Sequence, residues 1–133
     1  MPNYDPDHAP NPQQWLQLEG QERTRIIAEY LDRHGGYGGS LQRQAHLQAL
    51  VETQLAEGVT PVKGAFMRLR DNGLNRHEAI RALASVLGRC MPEVLNSEDT
   101  DAPPDKTYLA QLETLTADSA YERRRAKPDP RYL

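Results

Sequence analysis

Two polar ladders hold the residues of this chain that are best placed to do chemistry. Gln44, Gln48 and Glu52 recur every four residues, and His77-Glu78-Ala79-Ile80-Arg81 sets a histidine and an arginine four apart. On helices each ladder falls on one face, because side chains four apart in a 3.6-residue repeat stand one above the other. Two such faces brought together would build a shared polar or metal site. The residue types decide between the two. Imidazole and carboxylate are metal ligands, whereas an amide is a feeble one and a guanidinium, always charged, repels a cation. Glu52 and His77 alone fall short of the three or four ligands that zinc needs. His46 could be added, but it lies off the ladder, about 100° from Leu47 around the helix. Glu78 suggests the general base of a His-Glu-x-x-His hydrolase, yet the second histidine of that motif is Arg81 here.

The ladders need helices, and the sequence supplies them. Asn11-Pro12 reads as an N-cap followed by proline in the first turn, opening a short helix that carries Trp15, the only tryptophan. Arg23, Ile27, Tyr30, Leu31 and His34 recur at helical spacing from Gln21 to His34. Gly35-Gly36-Tyr37-Gly38-Gly39 ends that run. It lacks both the Lys-Ser/Thr of a P-loop and a preceding apolar strand, so it reads as a flexible connection. Ser40 caps a helix running to Glu57 with Leu47, Leu50, Val51, Gln54 and Leu55 as its stripe, and Gly58 ends it. Thr60-Pro61 opens the next helix, with Val62, Ala65, Phe66 and Leu69 inward, and Asn72-Gly73 stops it. Asn75-Arg76-His77-Glu78 then has the form of a capping box, and Ile80, Leu83, Ala84 and Leu87 carry the stripe to Met91-Pro92.

On this helix His77 projects about 60° from Ile80 and Arg81 about 40° further round, so both border the interface. If that border meets the flank of the 40–57 helix, Arg81 pairs with Glu52, and Gln48 and His77 complete a hydrogen-bonded cluster with no metal bound. Residues 93–104 are acidic and proline-bearing and read as a surface loop. Tyr108, Leu112 and Leu115 share a face of a last helix that continues to about residue 125, and Lys127-Pro128-Asp129-Pro130 cannot be a helix interior. No strand-length alternation appears. The expectation is an all-α fold, a small bundle of four to five helices with irregular termini: a lead-in over 1–11, one helical domain over 12–125 and a tail over 126–133. The expected core is Trp15, Ile27, Leu31, Leu47, Leu50, Val51, Leu55, Phe66, Leu69, Ile80, Leu83, Leu87 and Leu112.

Composition narrows the function classes. At 133 residues, 38% hydrophobic and 26% charged, the chain suits one modest core with loose ends. No stretch approaches a membrane span and the start lacks the pattern of a signal peptide, which points to a cytoplasmic protein. Cys90, the single cysteine, lies among helical apolar residues and reads as a core or half-buried thiol. The net charge of −3 is uneven: residues 1–120 carry 11 basic and 17 acidic side chains, and the remainder 5 and 2. The basic tail interleaves Arg123, Arg124, Arg125, Lys127 and Arg131 with Tyr121 and Tyr132. An acidic body argues against nucleic-acid binding, which needs a basic face, so the tail reads as solvated.

Val51-Glu52-Thr53-Gln54-Leu55-Ala56, Arg68-Leu69 and Gly73-Leu74-Asn75-Arg76-His77-Glu78-Ala79-Ile80 resemble a family of small bacterial proteins known only as a domain of unknown function. Asp5-Pro6 and Pro12-Gln13-Gln14-Trp15-Leu16 fit the start of that family, so the similarity spans most of residues 4–91 and, more weakly, Tyr108 to Tyr121. The resemblance implies histidines where Gln44, Gln48 and Arg81 stand here, beside the acid at Glu52 and His77. That would be a His/Glu cluster suited to zinc or a similar divalent ion. This chain departs at three of those positions, and the family supplies no reaction. The expectation is therefore a non-catalytic helical interaction module with a protein partner and no cofactor, and the alternative is a divalent-metal protein or hydrolase using Glu52, His77 and His46.

Overall fold

Helix signals in the sequence become real ends in the computed structural model, which describes residues 4–34, 40–92 and 104–116. Among these residues there are six helices and no strand: α1 (Pro12–Gln17), α2 (Gly20–His34), α3 (Leu41–Ala56), α4 (Thr60–Asp71), α5 (Arg76–Cys90) and α6 (Lys106–Thr114). The chain is all-α, as its periodicity requires. Asn11 Oδ1 accepts from the Gln14 amide and Ser40 Oγ from the Arg43 amide, each satisfying a first-turn donor that has no partner within its helix. At Asn75 both halves of the capping box form: its side chain accepts from the Glu78 amide, and the Glu78 carboxylate accepts from the Asn75 amide at 2.9 Å. Asp105 caps α6 in the same way.

Two helix C-termini turn through glycine. Gly58 and Gly73 have φ of +73° and +103°, a region that a Cβ disfavours. At the first, the Val59 amide reaches back to Gln54 and the Gly58 amide to Leu55. At the second, Leu74 reaches Leu69 and Gly73 reaches Arg70, so each forms a Schellman pair. These turns fold α4 back on α3 and α5 back on α4.

The organising element is α3. Its residues from Ala45 to Gln54 are all buried, so it is a central rod rather than a surface helix with one stripe. Ala45 and Ala49 pack with Tyr4, Trp15, Ile26, Ile27 and Leu31, while Leu47, Leu50 and Val51 join the apolar faces of α4, α5 and α6. Of the expected core, Leu55 and Phe66 are half-buried at the margin of the second cluster, and the other members are buried. Tyr108 and Leu112 seat α6 on that cluster. Arg68 of α4 donates through Nε to the Leu115 carbonyl at 2.9 Å and through Nη2 to that of Leu112, tying down the end of α6.

The lead-in before α1 contains no helix in its described part, as three prolines among the first ten residues require, but it is packed against the helices. Tyr4 is 3% exposed and Pro6 is buried. A single aromatic in a non-periodic segment gives no pattern from which burial could be inferred. The loop read at 35–39, the continuation of the last helix past 116 and the tail over 126–133 lie outside the described residues, as does nearly all of the 93–104 loop.

Candidate functional site

A helix buried on every side can carry polar residues only if its neighbours satisfy them. Within its buried run α3 carries His46, Gln48, Glu52, Thr53 and Gln54. Most of them take a polar side chain from a different part of the chain, so the centre of the molecule is a set of polar ties radiating from one helix.

Glu52 anchors the largest of these. Its carboxylate is 1% exposed and meets the Arg76 guanidinium in a two-pronged pair, Nη2 to Oε1 at 2.7 Å and Nη1 to Oε2 at 2.8 Å. The Tyr4 hydroxyl donates a third hydrogen bond to Oε2. Arg76 Nη1 also donates to the Pro6 carbonyl at 2.9 Å, and the guanidinium lies 5.6 Å from the centre of the Phe66 ring. Removing two charges from water is costly, and the fork geometry with these extra bonds is what offsets it. Burial, followed by the adjacent Glu52 carboxylate, pushes the Tyr4 phenol well above its ordinary range, so Tyr4 is a fixed proton donor here. Burial works to lower the pKa of Arg76, but hydrogen bonding to Glu52, the Glu52 charge and Tyr4 together outweigh it and raise it.

The expected partner of Glu52 was Arg81, and this is corrected: the guanidinium on Glu52 belongs to Arg76, the first residue of α5. Five residues further on, Arg81 points about 140° away around the helix and sits about 7.5 Å along it. Which rung of α5 meets Glu52 depends on how the helices cross, and the spacing within each ladder does not contain that information.

The remaining rungs are dispersed. Gln44 and Arg81 are half-buried. Gln48 is fully buried, and neither its Oε1 nor its Nε2 has a hydrogen-bond partner among the described residues, so it does not complete the expected cluster. His77 is half-buried and presents its ring at 83° to that of Tyr30, with centroids 6.0 Å apart. Burial, then the nearby positive charge of Arg81, lowers its pKa and favours the neutral ring. His46 is buried on the α2 side, its Nδ1 3.5 Å from Thr24 Oγ1. His8 and His34 are exposed, and His34 stacks on Tyr30 with centroids 3.9 Å apart.

Sequence reasoning missed the second tie entirely. Thr53 Oγ1 accepts from Trp15 Nε1 at 3.1 Å and from Arg23 Nη1 at 3.3 Å, and donates to the Ala49 carbonyl at 2.8 Å. Arg23, 2% exposed, also donates through Nε to the Trp15 carbonyl and through Nη2 to that of Leu16, so it closes the end of α1. A third tie runs from the Tyr108 hydroxyl to Gln54 Oε1 at 2.6 Å. The available signal was the polar run Glu52-Thr53-Gln54 inside an otherwise apolar stretch. Such a run is unusual for a surface helix phase and expected for a buried rod tied on several sides.

Chemically, both oxygens of Glu52 are committed to a guanidinium and a phenol. A divalent ion would have to displace Arg76 to reach it. Among the described residues no three of His, Cys, Asp and Glu form a group able to hold a metal, and His46 lies against Thr24 whereas His77 lies against Tyr30. No family model matches the chain, and no curated protein or solved structure does either. The likeness to the domain-of-unknown-function family rests on its motifs alone.

Proposed function

We propose that the chain is a non-catalytic helical interaction module and that its polar centre holds the fold together without transforming a substrate. The observation that carries this reading is the state of Glu52. The one acid of the candidate cluster is buried, and its three hydrogen bonds, two from Arg76 and one from Tyr4, engage both carboxylate oxygens. Two further residues support the same reading: Tyr4 holds its proton, and Glu78 closes the α5 cap. No helix among the described residues is long and apolar enough to cross a membrane, and the partner class of this proposal is a protein surface. The bacterial and cytoplasmic setting is part of the same proposal.

The test is to isolate a stoichiometric complex, rebuild it from purified components and analyse both masses and metal content. A complex that forms in the presence of a chelator and leaves both covalent masses unchanged fits the module. A complex that requires a divalent ion, or one in which the partner is cleaved or modified, would instead support the metal-dependent hydrolase alternative built on Glu52, His77 and His46.

A further inference from the structure

A line of rings in contact runs from the centre of the molecule to its surface. The fully buried Trp15 has its ring centroid 6.2 Å from that of Tyr4, itself buried. Tyr4 meets the half-buried Tyr30 edge-on at 5.9 Å, and Tyr30 stacks on the exposed His34. Among the described residues Tyr4 is the ring that touches both Trp15 and Tyr30. Burial of apolar area is reason enough for large rings to pack together. It does not call for the proton contacts that accompany them, which change in kind along the line. The Trp15 indole donates to Thr53 Oγ1, a hydroxyl already committed as a donor to the Ala49 carbonyl and no base. The Tyr4 phenol donates to the Glu52 carboxylate, which can take a proton. The Tyr30 phenol lies close to solvent and can release its proton to water.

We propose that Trp15, Tyr4 and Tyr30 form a relay that carries an oxidising equivalent from the buried indole to the surface phenol, with Glu52 as the proton acceptor of the middle ring. A one-electron oxidant takes an electron from Trp15, which keeps its N–H proton on the bond to Thr53. Tyr4 then gives an electron to the indole radical cation and its phenolic proton to Glu52 Oε2, because a phenol that has lost an electron is a very strong acid. Trp15 is restored and Tyr4 is a neutral phenoxyl radical. Tyr30 next gives an electron to Tyr4, which takes its proton back from Glu52, while Tyr30 loses its own proton to water. One electron has gone to the oxidant, one proton to solvent, and the radical rests on Tyr30. A hydrogen atom from a diffusible thiol restores the phenol and leaves a thiyl radical in solution. The charges favour this direction. At Tyr30 the acids Asp5 and Asp7 outweigh Arg33, which eases the loss of an electron there. At Tyr4 the Arg76 cation partly offsets Glu52, so the buried ring passes the radical on.

The experiment uses the full chain. A laser pulse at the red edge of indole absorption, where phenols do not absorb, drives an electron from Trp15, the single tryptophan, into a dissolved cobalt(III) ammine. Transient absorption then follows the indole and phenoxyl radicals separately. In the wild-type chain the indole radical should decay at the rate at which the phenoxyl radical grows, whatever the protein concentration. Tyr4→Phe keeps the ring and removes the oxidisable hydroxyl. It should slow that decay by more than an order of magnitude, because electron tunnelling falls exponentially with distance and the step to Tyr30 now spans both ring contacts. Tyr30→Phe should leave the decay as it was and hold the radical on buried Tyr4, where added glutathione removes it severalfold more slowly. Tyr108→Phe, at a buried tyrosine outside the line, should change neither rate. Heavy water should slow the first transfer, and so should Glu52→Gln with Arg76→Met, since an amide takes no proton.

Equal decay in the wild-type chain and in a Tyr4→Phe chain that melts cooperatively overturns the proposal. So does a phenoxyl signal whose rate scales with protein concentration, since either sends the electron by another route. A first transfer unchanged both in heavy water and in the double variant overturns the role given to Glu52. Should Tyr4→Phe fail to fold, Tyr30→Phe carries the test, and removal of its radical by glutathione at the wild-type rate refutes Tyr30 as the exit.

Discussion

Replacing Arg76 by methionine should be among the most damaging single changes in the molecule, and replacing Glu52 by glutamine at the same time should recover much of the loss. In the native chain Glu52 accepts two bonds from Arg76 and one from Tyr4 at a site 1% exposed. Arg76→Met keeps the apolar stem of the side chain and removes the charge. The carboxylate is then left with one phenol donor, and the Pro6 carbonyl loses its donor as well. Stranding one member of a buried ion pair costs about 3–5 kcal/mol. In Glu52→Gln with Arg76→Met no charge is buried, and the residual cost is that of imperfect hydrogen bonding, about 1–2 kcal/mol. The double variant should therefore recover roughly 2–3 kcal/mol of the Arg76→Met loss, and a double-mutant cycle should read a coupling larger than this by the loss of Glu52→Gln alone. Urea denaturation followed by circular dichroism is the assay. With an m-value of about 2 kcal/mol/M the single change moves the midpoint by about 1.5–2.5 M, the double by less than half of that. Arg81→Met, whose residue is half-buried and does not hold Glu52, should move it less than Arg76→Met does. A single-variant loss under about 1 kcal/mol, a double loss equal to the sum of the singles, or an Arg81 effect exceeding that of Arg76 would refute the assignment of the pair.

Other expectations follow from individual residues. Asn75→Ala should lower stability by roughly 1 kcal/mol, and adding Glu78→Ala should cost less than its separate effect because both serve one cap; an unchanged urea midpoint would place the helix start elsewhere. Gln48→Met should stabilise the chain by about 1 kcal/mol, since it replaces a fully buried amide with no partner by an apolar side chain of similar length, and a clear loss in thermal or urea unfolding would contradict this. Leu83→Ala should cost about 2–5 kcal/mol, and a loss near zero would misplace the inner face of α5. Tyr4 and Tyr108 have folded-state pKa values raised by burial, so their contribution is complete below the unfolded value of about 10 and is lost as pH rises through the folded values. Stability should therefore fall steeply in titrations above about pH 10, and less steeply in Tyr4→Phe; a pH-independent midpoint there would exclude the buried phenols.

The sequence alone determined what is local. Caps at Asn11, Ser40 and Asn75, glycine stops after α3 and α4, and apolar spacing in each helix are written in residues a few positions apart, where side chain and backbone meet by covalent proximity. So the all-α class was legible, and with it most of the core. It also flagged Glu52 and His77 as residues worth placing. Tertiary structure alone decided what those residues touch. Arg76 rather than Arg81 reaches Glu52 because the crossing of α3 and α5 selects the rung, and a ladder repeated every four residues looks the same at each rung. Tyr4 joins them across 48 residues of chain from a segment with no periodicity. Thr53 gathers Trp15 and Arg23 because α3 is enclosed on both sides, a fact that depends on the packing of α2 and α5 and on no property of α3 itself. Long-range polar partners are fixed by three-dimensional packing, and a one-dimensional pattern carries the demand for a partner but not its identity.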